Sequence, residues 1–289
     1  MEIIELKPFG YCYGVTNAIK IIEEVKSKHL DKNVYVFGML VHNNDVVKYL
    51  ESKNIVTIDT TKINKLKRLE EFTCDDVVVF TTHGHVEEYE EVLKKNNVIY
   101  YDATCKNVLK NMRIIKGYSN DHQIIYIGKM NHPETEACLS ISNNIILYDI
   151  NNGLDYSKIN GNKIVVTNQT TLSLLEINKI HQDIKNRYPN AIFIDEICSQ
   201  TRVRQVNILD SKENPDLVLV IGSIQSSNTD KLYVLGKEKF KNSVVLKVEN
   251  LNDLKRYDIS NYHKCLITSG TSTPLSSILE IKEYLKEIN

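Results

Sequence analysis

The stretch "NVIYYDATCKNVLKNM" (97–112) decides how this chain is read. Its first half, Val98 to Tyr101, has the branched and aromatic residues of a short β-strand. From Lys106 onward, apolar side chains at Val108, Leu109 and Met112 mark a helix. Cys105 therefore sits at a strand-to-helix junction, where the helix dipole favours a thiolate. Such a thiolate suits a metal ligand or a nucleophile.

The same arrangement occurs three times. Cys12, Cys105 and Cys198 are evenly spaced, by 93 residues and again by 93. Each follows a strand-like run, "EIIELKPFGYC", "NVIYYDATC" or "NAIFIDEIC". Each precedes a helix-like run, "YGVTNAIKIIEEV", "KNVLKNMRII" or "SQTRVRQVNIL". The next strand of each block ends in Gly38, Gly128 or Gly222, and four residues later stands His42, His132 or Ser226. A third strand runs into "TTHGH", "TNQTT" or "TSGTST". The runs "VYVFG", "VVVFTT", "QIIYIG", "KIVVT", "DLVLVIG" and "CLITSG" alternate with helical patterns, as in parallel α/β structure. Three blocks of about 90 residues on one plan predict an α/β protein of three similar units with parallel sheets. The units are 13–104, 105–196, and 1–12 joined with 197–289, the first strand completing the last sheet. A pseudo-threefold trefoil follows, with strand ends and one cysteine from each unit meeting at a central site.

A chain of 289 residues is long enough to bury a sizeable core. Its 36 basic and 37 acidic residues form no basic block, so nucleic acid is not an expected partner. No apolar run approaches the ~18 residues of a membrane span, so no membrane association is expected. The opening "MEIIELKPFG" reads directly as a strand rather than a secretory signal. The expected location is the cytoplasm, or a plastid-type organelle if a transit peptide has been removed. Six cysteines in a chain of this size do not read as a secreted disulfide scaffold.

Three converging thiolates suit a metal centre. Structural zinc usually takes four ligands in local pairs such as C-x-x-C, and no such pair occurs. Iron–sulfur clusters generally use four cysteines; three would leave one iron open to water or substrate. A nucleophile needs only one thiol. Cys74, Cys138 and Cys265 read as ordinary buried cysteines.

The loops at the predicted strand ends are polar. They carry His42, His83, His132 with Glu134, Thr170, Ser226, Ser227, Asn228 and Ser272. Singly, Ser, Thr and Asn there are the commonest helix caps. Together they form an anion cradle beside the metal centre, which points to a phosphorylated or diphosphorylated small substrate. No P-loop or dinucleotide fingerprint is present. His85 reads as a surface or supporting residue. Glu134 reads either as a proton donor or as a first-turn helix carboxylate behind Pro133. Glu136 is its competitor, read as solvent-facing.

The segments "GYCYGV", "LVHN", "THGH", "DATC", "HPETE", "NQTTLS", "GSIQSSNT" and "SGTSTP", in this order, resemble the 4-hydroxy-3-methylbut-2-enyl diphosphate reductase (LytB) family. The resemblance runs from Glu2 to about Glu287. It implies a three-lobed α/β protein with a central 4Fe-4S cluster on Cys12, Cys105 and Cys198, which air converts to a 3Fe-4S form or removes. It implies that His42, His83 and His132 belong to the diphosphate site, with Ser226, Ser227, Asn228 and Ser272. Glu134 matches the family's proton-delivering glutamate, and Thr170 a hydroxyl near the substrate's own. The implied reaction removes the hydroxyl of 4-hydroxy-3-methylbut-2-enyl diphosphate reductively. Its products are isopentenyl and dimethylallyl diphosphate, in the last step of the methylerythritol phosphate route to isoprenoids. Ferredoxin or flavodoxin is the implied electron donor, and a monomer the implied state.

Four positions depart from the family pattern. Lys106 replaces proline, Ala137 glycine, His85 valine, and Asn168 the first threonine of "TQTT". None is a proposed ligand, and Lys106 is expected at the rim with its ammonium in water. A reading from another class is a cluster- or zinc-binding sensor on the same fold, without turnover. Retention of Glu134, Thr170 and the diphosphate set argues against it, since a sensor needs only the cysteines.

Overall fold

The protein is described here from a computed structural model, which covers residues 1–41 and 43–288. His42, expected at the diphosphate site, lies outside the described residues. The chain begins with β1 (Glu2–Glu5), α1 (Tyr13–Lys28), β2 (Asn33–Phe37), α2 (Asn44–Ser52) and β3 (Ile55–Ile58). It continues with α3 (Lys65–Glu70), β4 (Asp76–Phe80), α4 (Glu87–Lys95), β5 (Ile99–Asp102), α5 (Lys106–Tyr118) and β6 (Gln123–Gly128). Then follow α6 (Pro133–Leu139), β7 (Ile145–Asp149), β8 (Ile164–Asn168), α7 (Leu174–Arg187), β9 (Ile192–Phe193) and α8 (Ser199–Asp210). The last elements are β10 (Leu217–Ile221), α9 (Ser227–Lys239), β11 (Val244–Val248), α10 (Leu251–Leu254), β12 (Lys264–Ser269) and α11 (Leu275–Glu287).

The strands form three four-stranded sheets, β3-β2-β4-β5, β7-β6-β8-β9 and β11-β10-β12-β1. Every pairing is parallel. The expected architecture of three parallel α/β units is the one observed. The first strand of the chain takes the fourth place in the last sheet, with Ile3 opposite Cys265 and Ile4 opposite Leu266.

Helices cover both faces of each sheet, so the inner strands read as continuous apolar runs rather than alternating ones. Successive side chains still point to opposite faces. Val77 and Val79 of β4 pack against Val15, Ala18, Ile22 and Val25 of α1. Val78 and Phe80 pack the other way, against Leu69 of α3 and Leu93 of α4. The second sheet sends Ile125 and Ile127 to Ile177 and Ile184 of α7, and Ile124 and Tyr126 to Ile115 of α5. The third sends Leu217, Leu219 and Ile221 to α11, and Val218 and Val220 to Leu232 and Leu235 of α9. Each such aliphatic side chain contributes about 1.5–3 kcal/mol by leaving water.

Two expectations are corrected. The sequence reading did not include β3, β7 and β11, each an edge strand whose residues are partly exposed. Cys74 is exposed in the turn before β4, whereas Cys138 and Cys265 are buried as expected. Among the described residues no helix is long and apolar enough to cross a membrane.

In each sheet the strand order reverses between the inner pair, β2/β4, β6/β8 or β10/β12. Loops leaving the two C-terminal ends diverge to opposite faces and open a crevice, the usual ligand position in such sheets.

Candidate active site

The three cysteines occupy equivalent positions. Each is the N-cap of a long helix: Cys12 of α1, Cys105 of α5 and Cys198 of α8. Their backbone N–H groups donate to the carbonyls of Thr271, Thr82 and Thr170 at 2.9, 3.0 and 3.0 Å. Each of these threonines follows the third strand of its unit. The thiols meet at one cavity of about 110 Å³, lined also by His83, His132, Glu134, Thr170, Ser226, Ser227, Asn228 and Ser272. All the candidate residues among those described are therefore at one place.

Burial pushes the Cys105 thiol above its usual range, N–H groups of Asn107 and Val108 oppose that, and the nearby Cys12 and Cys198 add to it. Burial thus outweighs the helix dipole invoked from the sequence. Three thiolates this close repel one another unless a cationic group sits among them. Among the described residues no group of three or more His, Cys, Asp and Glu is arranged to hold a metal ion; the cysteines instead line a shared cavity wall.

Glu134 is 1% exposed on the first turn of α6. Its Oε1 accepts from the Thr170 N–H at 2.8 Å, and its Oε2 from Thr170 Oγ1 at 2.8 Å. Tyr126 Oη donates to Oε1 from behind at 3.5 Å. Burial raises the carboxyl pKa from 4.5 to about 7, against the lowering effect of these hydrogen bonds. A group half-protonated near neutrality is matched to proton delivery. Glu136 faces the other way, half-exposed and ion-paired with Lys65 of α3.

On the anion side, Ser226 caps α9, accepting from the Thr229 N–H at 3.4 Å. Ser272 Oγ donates to Ser226 Oγ at 3.4 Å. Asn228 is 3% exposed, and among the described residues its Nδ2 and Oδ1 have no partner. A buried amide with both ends unpaired is costly without a ligand. His132 Nδ1 accepts from the Glu134 N–H at 3.2 Å, so the neutral ring carries its proton on Nε2. The His83 and His132 rings meet edge-on at 5.6 Å. His83, His132 and Ser227 also line a neighbouring cleft of about 530 Å³.

Sequence reasoning missed several residues. A Cβ on Gly14 would lie 2.9 Å from Cys105 Sγ, so a side chain there would displace that sulfur. Thr201 Oγ1 lies 3.2 Å from Cys198 Sγ, and the Thr201 N–H donates to that sulfur at 3.3 Å. Arg204 and Tyr126 are wholly buried near the site. The "GYCYGV" spacing held a signal for Gly14; the others emerge only from packing.

The four departures have structural counterparts. Lys106 is exposed, with Nζ 4.5 Å from the centre of the Tyr13 ring. His85 is not a surface residue: it stacks on Phe80 with ring centres 3.8 Å apart and bonds Glu90 at 3.1 Å. Asn168 is buried and accepts from the Glu196 N–H at 3.3 Å, holding the segment that leads to Cys198. Ala137 packs over Gly84, where a Cβ would come within 3.3 Å of its own.

Comparisons with known proteins identify the family and match the fold. The profile of the family described as LytB protein matches residues 3–286. The chain is 32% identical over 292 residues to the 4-hydroxy-3-methylbut-2-enyl diphosphate reductase of Macrococcus caseolyticus, covering 99% of this chain and 89% of that protein. It is 31% identical over 297 residues to the enzyme of the same name from Bacillus subtilis, covering 100% and 92%. The solved structure of the E-1-hydroxy-2-methyl-but-2-enyl-4-diphosphate reductase from Plasmodium falciparum superposes with a TM-score of 0.83 at 27% identity, over 99% of this chain and 87% of that one. The chain belongs to the LytB family.

Proposed function

We propose that this protein is an iron–sulfur reductase that converts 4-hydroxy-3-methylbut-2-enyl diphosphate to isopentenyl and dimethylallyl diphosphate. The observation that carries this reading is one cavity joining three cysteine-capped helices to the Glu134–Thr170 pair and to the Asn228 amide, which has no partner among the described residues. The donor set fits a 4Fe-4S cluster, since three soft thiols facing one cavity, with a wall left free of a fourth cysteine among the described residues, suit a compact cationic iron–sulfur core. Cys12, Cys105 and Cys198 would hold it. When bound, such a cluster supplies electrons and one iron without a protein ligand as a Lewis acid.

The remaining steps belong to the chain. Ser226, Ser227 and Asn228 at the N-terminus of α9, with Ser272 of the loop after β12, take the diphosphate, with His83 and His132 lining the same cavity; His42 is proposed for the same site. This fixes the reacting end of the substrate near the thiols. Protonated Glu134 delivers a proton through Thr170 Oγ1 to the departing hydroxyl, which leaves as water. Two electrons and two protons per turnover balance the loss of the hydroxyl. Ferredoxin or flavodoxin is the proposed reductant, and a monomer in the cytoplasm the proposed setting.

Anaerobic purification followed by iron and sulfide analysis tests the cofactor, with about four irons and a brown absorbance expected. Turnover with reduced viologen and the hydroxylated diphosphate tests the reaction. Zinc or no metal in protein handled without oxygen would sink the reading. Glu134→Gln is expected to lower turnover roughly 10²–10⁴-fold with iron content unchanged.

A further inference from the structure

Arg204 of α8 is 1% exposed and heads the fully buried side chains by size. Its guanidinium donates only to neutral oxygens. Nε reaches Ser269 O at 3.1 Å, Nη1 reaches Gln200 O at 3.0 Å and Gln200 Oε1 at 3.2 Å, and Nη2 reaches Gly10 O at 3.0 Å. Among the described residues no carboxylate forms an ion pair with it. A buried charge without a counter-charge is strongly unfavourable, and native proteins pair such groups or place them against a metal centre.

The negative charges that favour the guanidinium are those of the cysteines. Burial disfavours the charged guanidinium, whereas Cys12 and Cys198 favour it. The acceptors point to the same place. Gly10 precedes Cys12 by two residues, and Gln200 follows Cys198 by two. Ser269 ends β12, just before Thr271, whose carbonyl receives the Cys12 N–H at 2.9 Å. One side chain thus ties together the segments that present two of the three sulfurs.

We propose that Arg204 is the fixed counter-charge of the three-cysteine centre, a positioning residue that raises the reduction potential of the cluster held there. The proposal rests on the cluster reading given above. A cluster bound by thiolates is net negative and gains a further negative charge on reduction, so a nearby cation favours the reduced state. In a buried, low-dielectric setting that preference is not screened by salt.

The test is redox titration of the anaerobically purified holoprotein, followed by electron paramagnetic resonance, with iron and sulfide measured on each sample. Arg204→Gln, which removes the charge, is expected to shift the midpoint potential downward. Arg204→Lys, which keeps the charge but loses the fork, is expected to stay near the parent value. A Gln variant that loads iron and titrates at the parent potential would overturn the proposal. Should Arg204→Gln fail to load, the Lys variant decides: loading at the parent potential supports the counter-charge, and failure to load overturns it. A parent protein without iron and sulfide would instead overturn the cluster reading itself.

Discussion

Glu134 shows how far a single carboxyl is defined by its surroundings. In "HPETE", Glu134 and Glu136 are both first-turn residues, and nothing local separates them. The Thr170 loop does, by offering an N–H and a hydroxyl to Glu134 alone. With its pKa raised from 4.5 to about 7, Glu134 binds a proton more tightly folded than unfolded. Its favourable contribution to stability is complete below pH 4.5 and is lost as pH rises through about 7. Glu134→Gln should therefore raise stability at pH 8 by on the order of 3 kcal/mol and leave it unchanged near pH 4. Thermal unfolding at both pH values checks this; an equal effect at both would contradict a protonated carboxyl. Activity should fall through the same window, because the proton donor is lost. Tyr126→Phe removes a hydrogen bond that favours the carboxylate, so the falling limb should move to higher pH in an anaerobic rate profile.

At the scale of elements, the helix starts carry the chemistry. Gly14 is the second residue of α1, where alanine would ordinarily add about 0.5–1 kcal/mol of helix stability. Its missing Cβ is what leaves room for Cys105 Sγ. Gly14→Ala is expected to melt no lower than the parent while losing iron, as read by calorimetry and iron content. Lys106 opens α5, a position that needs no N–H donor and accepts proline. Cys105 before it already has φ −61° and ψ 136°, the extended conformation required ahead of proline. Lys106→Pro would lose an exposed cation–π contact of about 0.5–1 kcal/mol and gain about 0.4–1 kcal/mol from a stiffer unfolded chain. The two nearly cancel, so melting temperature and iron content should stay at parent values. The inner strands were legible because burial on both faces leaves little but Val, Ile and Leu in them. The edge strands β3, β7 and β11 were not, because a half-exposed run of four or five residues resembles its loops.

At the scale of the whole molecule, closure of the last sheet joins the ends of the chain. β1 lies along β12, and Lys282 of α11 bonds Glu5. Ile3 and Ile4 pack against two different cores of the same sheet. A chain lacking residues 1–6 should therefore melt at a lower temperature and lose iron, since the strand that leads to Cys12 has gone. Calorimetry and iron content check this, and iron retained at the parent level would show that Cys12 is placed without β1. Between units, Lys231 of α9 meets Glu176 of α7 at 2.7 Å, and Lys65 of α3 meets Glu136 of α6. By itself the sequence determined the repeat: apolar runs of strand length, helices between them and cysteines 93 residues apart demand three parallel α/β units. It also determined which thiols converge, because equivalent positions in equivalent units meet on a threefold arrangement. Only the tertiary structure decided which carboxyl is buried against Thr170, that Gly14 makes room for a sulfur, and that buried Arg204 bonds the segments around Cys12 and Cys198. Each of these depends on contacts between segments far apart in the chain, and desolvation, which acts through those contacts, has no local signature.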